Sequence, residues 1–542
     1  MTDVGTPETL AGILDAHADA TKGAWVFHLA DGPRRVEADE LRATALARAG
    51  QLLDLGLEPG QPVGLVGPNH PDWLGWAFGA WMAGAALVPL PAPTRIRDPE
   101  GFGAQIESLT STLGCRYVVA HPKYLPAVNP DRAIDWDGPP AAGTALTAAV
   151  EAAPDDIALI LCTSGSTSQP KGIRVTQSSA AARLGVNTAA LGNGMLGMSA
   201  LSWLPLYHLL GLIGLFQPLQ GVVANLLPAE RFARDPGEWL RLVGPTQATM
   251  TGAASSAWAA ATRSIARRPE GVDLSSLALA MFSMEMIDPD VVDRLLEVGV
   301  PLGLKPEALF AVYGLSEGGG TSSGFGGGIR IDEVDLETLV SSGRAEPPIP
   351  GRPTKRVASC GALGKTGTTE LLVGTPGEPA PERVVGEIHF RGPRMMEGYL
   401  SAEVTQPFDE EGWFRTGDLG YVSDGELFVT GRSKEIIVHL GRNYHPEDVE
   451  WAAARVPGVG EGGCVAFAPA GGAEGELVVV VEAPEGTDGE DLSFRVKAAV
   501  ADVVGLTPRH VVIVADGTIP HAANGKLQRL AARSAYERGE LS

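Results

Sequence analysis

Short apolar runs closed by Gly or Pro alternate with longer stretches of helical period through most of the chain. QPVGLVGP, CRYVVAHP and ALILCTSGST carry the unbroken hydrophobicity expected of strands buried on both faces. Between the first two, PDWLGWAFGAWMAGA spaces its aromatic residues as a helix does. SALSWLPLYH and LALAMFSMEMI each end an apolar run in polar or special residues. Strands alternating with helices imply parallel sheets, whose ligands sit beyond the carboxyl ends of the strands. The hydroxyl-rich CTSGSTSQPKG falls at such an end. From Leu184 to Ala229 there is no Asp, Glu, Lys or Arg. Pro205, Pro218 and Asn225 interrupt that run, so a straight apolar helix of the roughly 20 residues a membrane needs is not expected. A buried strand-helix-strand unit is the expectation instead.

Around Gly386 the pattern shortens. GEIHFRG, GYL, WFRTGDLGYV and GELFVTGR read as alternating strands with Gly turns, a small antiparallel sheet or barrel. After Arg432 a strand-turn-helix pattern, two apolar strands, a helix near Leu492 to Val504 and HVVIVA complete an α+β unit of about a hundred residues, a common domain size. Between Thr321 and Ser359 no strong periodicity is visible. The expected fold class is therefore α/β. Residues 1–432 form a large N-terminal domain of parallel-rich sheets flanked by helices, with a β-barrel-like part at about 386–432. Residues 433–542 form a small α+β domain.

Composition narrows the function. At 542 residues the chain exceeds what one core organises. A net charge of −23 repels nucleic acid and anionic membrane surfaces, so neither is expected as a partner, and no membrane span is expected. The four cysteines, Cys115, Cys162, Cys360 and Cys464, make no C-x-x-C pair and suit a reducing cytoplasm. The acidic MTDVGTPETLAGILDAHADA lacks the basic-then-apolar pattern of a signal peptide.

Candidate chemistry starts at Cys162–Gly172, with five Ser/Thr, two Gly and one Lys in one short stretch. Small donors and bare amides suit a loop that wraps an anion, and phosphate is the usual anion. The stretch is not the G-x-x-x-x-G-K-[ST] loop, because Pro170 separates the hydroxyl run from Lys171. It points to a nucleotide, outside the standard ATPase design.

Further pieces then follow in order: WLPLYH, VYGLSE, FRTGDLGYVSDGELFVTGRSKEIIVHLGRNYHPEDVE and IPHAANGKLQR. Together they resemble the adenylate-forming superfamily of acyl-CoA synthetases, peptide-synthetase adenylation domains and luciferases, over nearly the whole chain. Within it the text is most similar to the fatty acyl-AMP ligases, through WLPLYH with the GLIG that follows, QPL, SCG and GRNYHPEDVE. The segment between Glu317 and Ser359 stands where those ligases carry an insertion. Two departures are visible. His208-Leu209-Leu210-Gly211 replaces the usual His-Asp-Met-Gly, and Ser168 stands where the phosphate loop usually has Gly.

The resemblance implies that ATP and a small-molecule carboxylic acid react to an acyl-adenylate and pyrophosphate. A thiol, of coenzyme A or of the phosphopantetheine on an acyl carrier protein, then takes the acyl group, in lipid or natural-product biosynthesis. It implies phosphate binding by Thr163, Ser164, Gly165, Ser166, Thr167 and Lys171, and Mg²⁺ binding by Glu317 with Thr167. Ser283, Met284, Glu285, Tyr313 and Gly314 would line the adenine pocket, and Asp418 with Arg432 would hold the ribose. His208 would orient the carboxylate or gate the acyl tunnel. Lys526 would be the catalytic lysine, brought in by the small domain. A hinge at Lys434 would later carry Gly441 and Arg442 to the site for thiol transfer. Ser168 leaves open an enzyme of the second half-reaction alone, and a non-catalytic binding protein on the same fold is the alternative of another class.

Overall fold

A computed structural model of the chain describes residues 8–541 apart from 20, 97, 139–145, 164–170, 184–196, 324–325, 364–368, 401–407, 440–441, 461–462, 470–475 and 522–526. Three large sheets and a smaller C-terminal set carry the architecture. The first sheet orders its strands Gly319–Ser323, Leu309–Leu315, Leu279–Phe282, Met250–Ala253, Ser199–Ser202, Val223–Leu226, Ala24–Leu29 and Gly32–Glu37. Its six inner strands are parallel, and only the two edge strands run the other way. The second sheet runs Gly398–Tyr399, Lys171–Thr176, Ile157–Thr163, Ala86–Pro89, Pro62–Val66, Tyr117–Ala120 and Ala133–Asp135.

The apolar runs became the expected strands, and the aromatic stretch became the helix Pro71–Met82. His70 caps that helix by accepting from the Asp72 amide, and Pro71 sits in its first turn, where no amide hydrogen is needed. Trp73, Trp76 and Trp81 are all buried between the sheets. Trp76 and Trp81 satisfy their indole N–H groups on the carbonyls of Trp136 (3.1 Å) and Ala158 (2.9 Å). The charge-free run contains strand Ser199–Ser202, helix Leu209–Gly214 and strand Val223–Leu226, as its interruptions imply. Among the described residues no helix is long and apolar enough to cross a membrane. All four cysteines are free thiols.

The third sheet is antiparallel: Ile331–Asp335, Thr354–Ala362, Glu426–Arg432, Phe414–Ser423, Gly386–Arg391, Glu370–Thr375 and Glu378–Pro379. It differs from the sequence expectation in where it starts. Strands from Ile331 onward belong to it, not only those after Gly386, whereas Gly398–Tyr399 leaves it to pair with Lys171–Thr176. The aperiodic stretch before Ser359 also holds a helix, Leu336–Ser342. Two turns are too short to display a period, but the ends are marked. Asp335 accepts from the Thr338 amide at 2.8 Å, and Gly343 closes the helix at φ 67°.

After Arg432 the chain builds its own sheets. Ile437–His439 pairs with Arg442–Tyr444, and Cys464–Phe467, Val478–Ala483 and His510–Ala515 form a three-stranded sheet. Helices Pro446–Ala454, Gly489–Val504 and Arg529–Glu537 accompany them. Their core takes in Leu336 and Val340 of the central helix.

Candidate active site

Two parallel strands set the floor of the site. Leu279–Phe282 and Leu309–Leu315 are neighbours, with Phe282 opposite Ala311, so residues 283–285 and 313–314 emerge together at the carboxyl end. Ser283 is buried, and its amide donates to the Ala253 carbonyl at 3.2 Å. Met284 stands at φ 75°, a left-handed conformation that costs a side-chain-bearing residue about 1–2 kcal/mol. Glu285 has a structural task beside the one expected of it. Its carboxylate accepts from the Ser256 amide at 2.6 Å, at the start of helix Ser255–Arg267. The register of the second strand shifts between Tyr313 and Gly314, a bulge that re-aims the chain leading to Glu317.

The antiparallel sheet brings a carboxylate to Tyr313. Asp418 and Arg432 are cross-strand partners, and Arg432 Nε lies 3.0 Å from Asp418 Oδ1. The Tyr313 hydroxyl donates to Asp418 Oδ2 at 2.7 Å in a buried setting. Burial first, then the charge of Asp418, push that hydroxyl well above its ordinary pKa, so it stays a donor. Attraction to Asp418 likewise raises the Arg432 guanidinium, whose side chain is partly exposed. Asp418 Oδ1 is buried and takes no hydrogen bond among the described residues. A buried carboxylate with acceptor capacity left over fits a sugar diol.

A second cluster forms at the root of the hydroxyl-rich loop. Thr163 and Lys171 are register partners across the hairpin, so the chain leaves and returns on the same rung. Lys171 Nζ lies 5.0 Å from the centre of the Tyr399 ring, and the Tyr399 hydroxyl donates to Glu317 Oε1 at 3.0 Å. Ser164, Gly165, Ser166 and Thr167 lie outside the described residues, as do the Thr163 side chain, Gly441 and Lys526. Among the described residues no three His, Cys, Asp or Glu converge on a point. Glu317 therefore offers a single carboxylate, a donor set that suits Mg²⁺ completed by phosphate oxygens and water.

His208 caps helix Leu209–Gly214, its Nδ1 accepting from the Leu210 amide at 3.4 Å. A ring that accepts at Nδ1 carries its proton on Nε2 when neutral. Asn69 holds the preceding loop: its amide donates to the Leu204 carbonyl at 3.0 Å, and its oxygen accepts from the Leu206 amide at 3.0 Å. Lys434 is exposed. Arg442 pairs with Glu337 of helix Leu336–Ser342 at 3.4 Å.

Three contributors escaped the sequence reading: Asn69, Arg183 and Tyr399. Arg183 is buried, and its guanidinium donates to the carbonyls of Arg394 (2.9 Å), Ser316 (2.7 Å) and Glu317 (3.1 Å). Burial lowers its pKa to about 10, and the Glu317 charge opposes that shift. A solitary Arg after Ser-Ser-Ala-Ala-Ala gives no hint of burial. The Gly-Tyr pair at 398–399 was legible as a strand, but its partner strand lies more than two hundred residues away in sequence.

The chain belongs to the AMP-binding enzyme family, whose pattern matches residues 14–400. Rv1013 of Mycobacterium tuberculosis is 32% identical over 508 residues, covering 90% of this chain and 92% of its own length. The long-chain-fatty-acid–AMP ligase FadD32 of Mycolicibacterium smegmatis is 31% identical over 547 residues, covering 89% and 86%. A solved structure from work on the fatty acyl-adenylate ligases of E. coli and L. pneumophila superposes with a TM-score of 0.89 at 27% identity, over 98% of both chains.

Proposed function

We propose that the protein activates a carboxylic acid with an apolar chain as its acyl-adenylate and passes the acyl group to a phosphopantetheine thiol, on coenzyme A or on a carrier protein. The observation that carries this reading is the convergence of Tyr313, Asp418 and Arg432 on one side with Lys171, Tyr399 and Glu317 on the other. Glu317 follows Tyr313 by one turn of chain, so the two clusters meet at one strand end. A sugar diol on Asp418 and a phosphate chain toward Lys171 is the arrangement that ATP would take across them.

In the first step a carboxylate oxygen of the acid attacks the α-phosphorus. A new P–O bond forms as the bond to the β-phosphate oxygen breaks, and pyrophosphate leaves. Positioning and charge stabilisation do most of the work in such a transfer. Asp418 and Tyr313 fix the nucleoside end, and Arg432 pairs with Asp418 across the two strands. Lys171 and the hydroxyls of 163–167 receive the departing phosphates. His208 would orient the carboxylate of the acid, and the charge-free run after Leu184 would supply apolar lining for its chain. Mg²⁺ on Glu317 would neutralise charge on the phosphate oxygens. In the second step the thiol sulfur attacks the acyl carbonyl, the C–S bond forms, and AMP leaves with the electron pair of the broken C–O bond. The thiol proton is lost to solvent.

The test is pyrophosphate release from ATP across fatty, aromatic and polycyclic acids, followed by thioester formation with coenzyme A and with a phosphopantetheinylated carrier protein. Release that depends on one class of acid supports the reading and names the substrate. No release with any acid, while a premade adenylate still gives thioester, leaves an enzyme of the second half-reaction only. A second expected result concerns the nucleoside end. Asp418→Asn removes the charge that a ribose diol meets and is expected to weaken ATP binding by about 10- to 100-fold in calorimetry. Unchanged affinity would remove Asp418 from the site.

A further inference from the structure

We propose that Arg183 is a positioning residue for the metal carboxylate of this site: its guanidinium fixes the hairpin turn that carries Glu317 and locks that turn to the segment following the hydroxyl-rich loop. The inference rests on the Mg²⁺ role proposed above for Glu317.

The turn cannot hold itself. Strands Leu309–Leu315 and Gly319–Ser323 pair as far as Leu315 and Gly319, so Ser316, Glu317 and Gly318 make the whole connection. The Gly318 amide donates to the Leu315 carbonyl at 3.2 Å, which leaves the carbonyls of Ser316 and Glu317 outside the ladder. Backbone carbonyls withdrawn from water need donors from elsewhere. Arg183 supplies them, Nη1 donating to Ser316 at 2.7 Å and Nη2 to Glu317 at 3.1 Å. Two successive carbonyls on the arms of one planar fork fix both peptide groups. They thereby fix the direction in which the Glu317 side chain leaves the backbone.

The clamp is anchored on its other side as well. Arg183 Nε donates to the Arg394 carbonyl at 2.9 Å. One turn earlier on the helical segment 177–183, the Ser179 hydroxyl donates to the Met395 carbonyl at 2.8 Å. The Met396 amide closes the circuit by donating to the Glu317 carbonyl at 2.6 Å. Segment 177–183 directly continues the strand Lys171–Thr176, which leads out of the hydroxyl-rich loop. The loop that would hold phosphate and the turn that would hold metal thus share one clamp. Arg183 is 2% exposed, and its acceptors among the described residues are carbonyls rather than carboxylates. It therefore steadies Glu317 through the backbone, while the carboxylate itself meets the Tyr399 hydroxyl at 3.0 Å.

The test is calorimetric ATP binding as a function of Mg²⁺ concentration, for the wild-type chain, Arg183→Lys, Glu317→Gln and the double variant. Arg183→Lys keeps the charge and loses the fork. Metal-free ATP affinity should stay within about twofold, while the Mg²⁺ concentration for half-maximal tightening rises about tenfold. In the Glu317→Gln background the same change should move the remaining Mg²⁺ dependence by less than about twofold, because the group it positions is gone. Hydrogen exchange at the Met396 amide, followed without nucleotide or metal, should quicken about tenfold in Arg183→Lys. Should Arg183→Lys fail to fold, Arg183→Gln, which keeps neutral donors, takes its place with the same expected shifts. An equal shift in both backgrounds, no shift in Arg183→Lys, or unchanged exchange overturns the inference alone. Glu317→Gln that leaves the Mg²⁺ dependence untouched overturns the metal role together with the inference. Wild-type protein that binds no ATP overturns the site reading as well.

Discussion

Lys526→Ala is expected to cut acid-dependent pyrophosphate release by about 100- to 1,000-fold while leaving thioester formation from a premade adenylate near its original rate. The asymmetry follows from where charge builds. In adenylation an anionic carboxylate approaches a polyanionic phosphate chain, in a protein whose net charge is already −23. Among the described residues, few cations stand beside the proposed phosphate path. Arg432 is committed to Asp418, and Lys171 sits over the Tyr399 ring at the loop root. A lysine delivered by the small domain would be the added positive charge at the reacting α-phosphate, and in a cleft poor in water such a charge counts for more than in solution. Thiol attack on the acyl carbonyl expels AMP and needs no second anion to approach the phosphate. Lys526→Arg should restore only part of the rate, since a planar fork does not reproduce a point charge. The check is to follow pyrophosphate and thioester separately. Equal loss in both half-reactions would mean that Lys526 supports the fold or a shared binding step.

What the sequence made legible was set by how local each signal is. The strand Pro62–Val66 and the helix Pro71–Met82 are uniform in hydrophobicity and bounded by Gly, Pro or a capping residue, so their patterns were unambiguous. The helix Leu336–Ser342 was invisible as a period, although its Asp335 cap and Gly343 stop stand in the text. The site divides the same way. Asp418, Arg432, Tyr313 and Glu317 lie in motifs whose residue types and order are themselves informative. That Tyr313 donates to Asp418, or that Glu285 caps a helix begun thirty residues earlier, depends on strand register and side-chain direction, which no local pattern encodes. Tyr399 was the hardest to see. Its bond to Glu317 arises only when a two-residue strand crosses from the antiparallel region to the edge of the second sheet.

Arg529→Met is expected to destabilise the C-terminal part by about 3–5 kcal/mol at neutral pH, because it leaves buried carboxylates without their cation. Arg529 opens the last helix, three residues beyond Lys526, and its side chain is largely buried. It grips Glu450 through two bonds of 2.7 Å, meets Glu447 at 2.9 Å, and pairs with Glu435 beside the expected hinge. One cation thus ties the hinge segment and helix Pro446–Ala454 to the start of the helix that follows the lysine. Glu450 and Glu447, buried together beside one guanidinium, cannot both ionise cheaply out of water. Burial pushes Glu450 up to about 7 and Glu447 in the same direction, so the cluster holds a proton near neutrality. The sign follows from proton counting. A carboxyl whose folded pKa lies above its unfolded value binds more protons when folded, so its contribution is full below the unfolded value and is lost as pH rises through about 7. Stability of the wild-type C-terminal part should therefore fall between pH 5 and pH 8, with about tenfold faster hydrogen exchange in strand Val478–Ala483 for each 1.4 kcal/mol lost. Arg529→Met should steepen that slope and recover part of its loss at pH 5, where the carboxyls are protonated. Glu450→Gln, which removes one charge and keeps the shape, should flatten it. Exchange that is flat with pH in the wild-type protein would show that Glu450 and Glu447 both stay ionised, and the cluster would then tie hinge to lysine without a titrating proton.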